Sequence, residues 1–120
     1  MKKNLIIFSL ASLLTGCYYD NKEDLYPIAV ACDSGAVTYS GKVLSIIQTN
    51  CYACHTSSNA LGNMNLEGYT NLKIVADNGK LIGVTEHQNG FSPMPQGGAQ
   101  LSTCDINDIK KWISDGTPDN

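Results

Sequence analysis

The chain has 120 residues, which is the length of one small domain. It carries 8 basic and 11 acidic residues, and every basic residue is a lysine. An acidic chain of this kind lacks the basic surface that nucleic-acid binding requires, so DNA and RNA are excluded as expected partners.

Residues 1–16 have the order of a bacterial export signal, with two lysines followed by a short apolar run at residues 5–14. That run is too short for a membrane-spanning helix, which needs roughly 20 apolar residues. Residues 14–17, Leu-Thr-Gly-Cys, resemble the lipobox of bacterial lipoproteins. The resemblance implies cleavage before Cys17 and lipidation of that cysteine. The alternative is an ordinary signal peptide with an incidental cysteine.

Cleavage at this point would leave 8 − 2 = 6 lysines against 11 acidic residues, a formal charge of −5. Residues 17–31 are rich in Asp, Asn, Lys and Glu and contain Pro27, so we expect a flexible tether there. Its Lys-Glu-Asp tract at residues 22–24 resembles the export tract of surface lipoproteins in the Bacteroidota, although a plain solvated linker has the same composition. Residues 32–120 are expected to form the folded domain.

The first predicted helix spans residues 37–50. Val43, Ile46 and Ile47 share one of its faces, at the spacing of an amphipathic helix. The second spans residues 69–77 and ends before a glycine; its inward positions are expected to be Leu72, Val75 and Ala76.

The third predicted helix starts after Ser102, where Ser102 and Asp105 form a capping box with Asp in place of the usual Glu. Ile106, Ile109 and Ile113 then recur at helical spacing, and Gly116 and Pro118 follow as stop signals, with Trp112 on the same helix. No run of alternating β-branched residues is long enough to predict a sheet.

Residues 51–55, Cys-Tyr-Ala-Cys-His, form the motif that best indicates the chemistry of the protein. Cys-x-x-Cys-His is the attachment sequence for c-type haem. The thiols of Cys51 and Cys54 can add to the two vinyl groups of one porphyrin, and His55 is then placed to bind iron from one axial side. Two other interpretations exist, a thiol redox pair and part of a zinc site. A redox pair is expected near a βαβ pattern, and zinc needs a fourth ligand; this sequence favours haem.

The second axial ligand is predicted to be Met94, which lies between Pro93 and Pro95 in a loop where core packing is not expected. Two alternatives remain. Met64 lies only nine residues after His55 and is more typical of packing. His87 would give a bis-histidine haem of lower potential.

Cysteine parity supports these assignments together. The chain has five cysteines, an odd number for an exported protein. If Cys17 carries lipid and the motif carries haem, Cys32 and Cys104 remain, and two thiols in an oxidising compartment form a natural disulfide.

The motif, the Pro-Met-Pro loop and the Trp-Ile-x-x-Gly end at residues 112–116 together resemble a class I cytochrome c domain, in particular the short lipoprotein cytochromes of the Bacteroidota. The resemblance covers roughly residues 37–116. It implies an all-α, cytochrome c-like fold, with three main helices wrapped around one covalently bound haem c and long Gly, Pro and Asn loops. It further implies that the first and last helices cross beside the haem, and that electrons enter and leave at an exposed haem edge.

Two departures from that family pattern concern the helix crossing and the axial histidine. Many members have a glycine eight residues before the first haem cysteine, where this chain has Val43, with Gly41 two residues earlier. Many also have a proline whose carbonyl orients the histidine, but no proline occurs here between His55 and Pro93. A wider or shifted crossing and a different partner for the imidazole are therefore expected.

The expected function is single-electron transfer by a monomeric, lipid-anchored protein outside the bacterial cytoplasm, on the periplasmic face or the outer-membrane surface, without enzymatic activity. Redox donors and acceptors with basic docking patches are its expected partners, because the chain is acidic. The rival functions are a haem enzyme or sensor whose labile sixth position binds peroxide or a gas, and a zinc-stapled surface lipoprotein.

Overall fold

The computed structural model of the protein describes residues 32–33 and 35–120. The predicted signal peptide, the predicted lipidation site at Cys17 and the predicted tether lie outside the described residues. Within the described part of the chain, no helix is long and apolar enough to cross a membrane.

The described chain is mainly helical, as predicted, but it contains four α-helices rather than three and a small antiparallel pair of strands. The sheet was not predicted, because each of its strands is only two residues long. In chain order the elements are a π-helical turn Tyr39–Val43, α1 Leu44–Cys51, β1 His55–Thr56, β2 Asn59–Ala60, a 3₁₀ turn Leu61–Asn63, α2 Tyr69–Asp77, α3 Lys80–Thr85 and α4 Thr103–Ser114.

The first helical segment begins at Tyr39, two residues later than predicted, because Thr38 caps it. The Thr38 hydroxyl accepts a hydrogen bond from the backbone N–H of Gly41 at 3.0 Å. The three apolar residues expected on one face are all buried: Val43, Ile46 and Ile47. Their burial places the end of α1, and the motif that follows it, against the core.

Helix α2 has the predicted bounds, and its three predicted inward residues are buried. It ends at Asp77, and Gly79, two residues later, adopts a left-handed conformation with φ of 76°. Helix α3 follows at once and was not predicted. Its six residues make less than two turns, which is too short for a periodic pattern to be recognised. Leu81 and Thr85 are its buried side chains that point to the interior.

Helix α4 starts and stops as predicted. The Ser102 hydroxyl accepts from the Asp105 backbone N–H at 3.1 Å, but the Asp105 carboxylate binds that hydroxyl instead of reaching back to the Ser102 backbone. At the other end Gly116 has φ of 91°, and the N–H of Thr117 donates to the Trp112 carbonyl at 3.0 Å. This 6→1 bond is the signature of a Schellman end.

The core forms where the π-helical turn packs against α4. Trp112 is fully buried, its indole N–H donates to the Pro118 carbonyl at 2.9 Å, and its ring lies 6.0 Å from that of Tyr39. Tyr39 also meets Tyr69 edge-on at 5.3 Å. Val43 is fully buried in this turn, so the position where the family has glycine is filled by a side chain.

The predicted disulfide between Cys32 and Cys104 is present, with Cα atoms 5.3 Å apart. It ties the start of the described domain to the first turn of α4 across a sequence separation of 72 residues. Closing a loop of this length stabilises the folded state by about 4 kcal/mol, because the disulfide reduces the conformational entropy of the unfolded chain.

Candidate functional site

The predicted site residues surround a cleft on one side of the helical core. Within the described part of the chain, two cavities of about 430 and 360 Å³ share Cys51, His55 and Met94 as wall residues. Cys54 lines the first cavity and Met64 the second. Cavities of this size and apolar lining are typical of cofactor sites.

The motif is placed by the end of α1 and the start of the strand pair. Cys51 is the last residue of α1, and a turn closed by Cys54 N–H donating to the Cys51 carbonyl at 3.1 Å leads into β1. Two further bonds hold the turn: the Asn59 amide donates to the Ala53 carbonyl at 2.8 Å, and Leu61 N–H donates to the Cys54 carbonyl at 3.0 Å. The small sheet therefore fixes the two thiols beside the first cavity.

Both motif cysteines are free thiols, with Cys54 exposed and Cys51 partly buried. Burial raises the pKa of the Cys51 thiol to about 11. Reactive redox cysteines have lowered pKa values, because the thiolate is the nucleophile. The environment of Cys51 therefore does not favour the thiol redox interpretation.

The zinc interpretation needs several nitrogen or sulfur ligands gathered around one point. Among residues 32–33 and 35–120, no three of His, Cys, Asp and Glu are grouped so as to hold a metal ion.

His55 has a hydrogen-bond partner that the sequence did not reveal. Its Nδ1 lies 3.2 Å from the Met64 carbonyl oxygen, and the His55 carbonyl accepts from Leu66 N–H at 2.9 Å. Because a carbonyl only accepts, Nδ1 carries the proton and Nε2 keeps its lone pair for a metal. The chain turns back toward His55 through Gly62 and Asn63, both at positive φ. That Gly-Asn pair is the sequence signal for the contact.

Met94 is held by its backbone on two sides. Its N–H donates to the Val84 carbonyl at 2.9 Å, and the imidazole Nε2 of His87 donates to its carbonyl at 3.1 Å. His87 is exposed and lines neither cavity. Of the predicted axial candidates, Met94 therefore lies on the cleft walls, and His87 contacts the loop that carries it.

Most of the other wall residues were not predicted, and Thr85 and Leu101 are two of them. Thr85 lines both cavities and is buried, and its hydroxyl donates to the Leu81 carbonyl at 2.8 Å, so it offers the cleft no unpaired donor. Leu101, just before α4, lines the first cavity.

Comparison with known proteins adds no relative. No family model, no curated protein and no solved structure matches the chain.

The donor set fits a c-type haem. Two free thiols lie at one cavity, an imidazole with Nε2 available lies beside them, and a thioether lines the same walls. A His/Met pair is an established axial set for haem iron.

Proposed function

We propose that this protein is a monohaem c-type cytochrome that carries single electrons. The observation that supports it best is that Met94, 39 residues after His55 in sequence, lines the same cavity as Cys51, Cys54 and His55. When bound, the haem would provide a ferric–ferrous couple that takes up and releases one electron.

Each residue has a definite role in this proposal. Cys51 and Cys54 would hold the haem through thioethers, and His55 and Met94 would bind its iron. The Met64 carbonyl orients His55 by fixing the proton on Nδ1. Val84 and His87 orient Met94 through its backbone.

The walls of the cleft favour electron transfer over ligand chemistry. They are mainly apolar, which limits water at the iron site and raises the potential. A peroxidase or gas sensor would need an open sixth position with an acid–base group beside it. The nearest candidates, Glu86 and His87, are engaged with Lys110 and with the Met94 carbonyl.

The bis-histidine alternative is less well supported than His/Met ligation. His87 would have to leave the Met94 carbonyl and turn into a cleft that it does not line. Met94 already lies there.

Attachment outside the cytoplasm is part of the proposal. The Cys32–Cys104 disulfide is typical of oxidising compartments, where haem c is also attached. We expect Cys17→Ala to abolish the incorporation of labelled fatty acid into the protein. Retention of the label in the variant would contradict a lipid anchor at Cys17.

The most direct test of the proposal is whether the protein carries covalently attached haem. The protein should be made together with a cytochrome maturation system and run on a denaturing gel stained for haem. We expect a haem-stained band for the parent and none for Cys51→Ala/Cys54→Ala, while Cys32→Ala/Cys104→Ala still stains. Unstained parent protein would contradict the proposal. Zinc in that sample would support the alternative that the protein is a surface lipoprotein stabilised by zinc.

A further inference from the structure

The two segments that frame the cleft contain no formal charge. Residues 43–66 and 87–104 have no Asp, Glu, Lys or Arg. These segments provide most of the walls of both cavities, and among the described wall residues Lys80 is the one charged side chain.

Large apolar side chains are exposed beside this cleft. Leu61 is 55% exposed and lines both cavities, and Phe91 is 39% exposed and lines the second. A single exposed apolar residue is ordinary, but two beside one cleft, whose described walls carry Lys80 as their one charged side chain, resemble an interaction site. We call this surface the neutral rim; it comprises Ala53, Cys54, Leu61, Gly62, Phe91 and Gln96.

The charges of the described domain lie outside these segments, and most of the lysines are paired. Every described lysine except Lys80 forms a salt bridge with a carboxylate. The pairs are Lys42 with Asp33 and Asp108, Lys73 with Asp77, Lys110 with Glu86, and Lys111 with Asp115.

We propose that the redox partner of this cytochrome docks on the neutral rim through an uncharged, largely apolar face. This inference rests on the proposed function, since the exposed Cys54 thioether would lie at the rim. A charged partner surface would lose its hydration there without gaining an opposite charge, which disfavours it. The cores of protein interfaces are likewise depleted in charged residues. The competing possibility is a partner that docks through a basic patch, as the acidic charge of the chain predicts.

Electron self-exchange tests this inference, because a second copy of the chain brings the same uncharged rim as its docking face. We would mix ferrous and ferric haem-loaded protein that carries Cys17→Ser and is exported behind a signal peptide cleaved without lipidation. Exchange would be followed by NMR line broadening. Ionic strength would be varied from 0.1 to 1 M, where the screening length falls from ~10 to ~3 Å. Contact through the neutral rim predicts a rate that changes less than about twofold, because the two segments that frame the cleft carry no formal charge.

Contact through charged surfaces predicts a different result. Two acidic copies repel one another at low salt, so the rate would rise about tenfold or more as salt is added. Such a rise in the parent protein would overturn the neutral-rim inference.

Two variants test whether the salt dependence of self-exchange arises at the neutral rim. Leu61→Glu and Lys111→Gln each lower the net charge by one, but only the first changes the rim. We expect Leu61→Glu to slow self-exchange about three- to fivefold at 0.1 M, with recovery at 1 M, because two like charges then meet at contact distance. Leu61→Gln should show no salt-dependent slowing, and Lys111→Gln should leave the rate unchanged.

Equal responses of Leu61→Glu and Lys111→Gln would overturn the inference, because net charge and not the rim would then govern exchange. Each variant should first show the parent haem spectrum, which establishes that it is folded. Parent protein without covalent haem would overturn the proposed function as well, whereas haem-loaded protein with steep salt dependence would overturn the neutral rim alone.

Discussion

Met94 and Met64 both line the cleft, and we propose different roles for them. The Met64 backbone carbonyl binds His55, so its side chain is not required for that contact. We expect Met94→Ala to abolish the far-red sulfur-to-iron band and lower the reduction potential, since the thioether favours ferrous iron.

The matched control is Met64→Leu, which keeps the carbonyl and fills similar volume. It should retain the band, with a small change in potential. If instead Met64→Leu lost the band and Met94→Ala kept it, the axial assignment would pass to Met64. Optical spectra and potentials of both variants decide this.

His87 is predicted to act as a positioning residue for Met94. Removing the bond from its Nε2 to the Met94 carbonyl costs about 0.5–1.5 kcal/mol, so His87→Ala should raise the fraction of protein with Met94 dissociated roughly 2- to 10-fold. Thermal loss of the far-red band measures this fraction.

His87→Gln provides the comparison, because its amide can donate to the same carbonyl and both replacements meet the same positive φ of 53°. Glutamine should restore part of the band's thermal stability. A stable band in His87→Ala would show that the contact does not hold Met94. A bis-histidine spectrum in the parent, lost in both variants, would assign His87 as the ligand instead.

At the scale of elements, the end of α4 requires a glycine at position 116. Gly116 has φ of 91°, which costs a residue with a Cβ about 1–2 kcal/mol. We expect Gly116→Ala to lower the melting temperature of the haem-loaded protein by several degrees.

Gly35 is a suitable control, since its φ is not positive and an added Cβ would only contact the Asp33 carboxylate at 3.4 Å. Gly35→Ala should leave the melting temperature nearly unchanged. Equal effects of the two replacements would contradict the Schellman account of the end of α4.

The elements that were predictable are those with long, regular patterns and clear caps. Helix α2 and the start and end of α4 follow from apolar spacing together with Gly79, Ser102 and Gly116. Helix α3 and the strand pair were missed because six residues and two-residue strands carry no measurable periodicity.

In the candidate site, too, some features were predictable from the sequence and others were not. Cys51, Cys54, His55 and Met94 could be named from local motifs, because covalent and axial chemistry demands particular residue types. The Met64 carbonyl and the contact from His87 to Met94 could not, because a backbone carbonyl has no residue signature and both contacts depend on how the loops turn.

At the scale of the whole molecule, the disulfide joins the start of the domain to α4. We expect Cys32→Ala/Cys104→Ala to lower the free energy of unfolding by about 2–4 kcal/mol, because the unfolded chain regains the freedom of a long loop. Denaturant unfolding of the ferrous protein measures this loss.

A thiol reductant gives the control for that experiment. It should destabilise the ferrous parent toward the level of the double variant and leave the double variant unchanged. A reductant effect on the double variant would show that thiols other than this pair are responsible.

The central claim is that one haem, held by the motif and ligated by His55 and Met94, makes this protein a one-electron carrier. The most direct test is a redox titration of the purified protein followed by optical absorption. We predict a single one-electron transition between six-coordinate low-spin states, with the far-red sulfur-to-iron band present in the ferric form. High-spin ferric haem at neutral pH, or no haem absorption from protein made with the maturation system, would contradict the account.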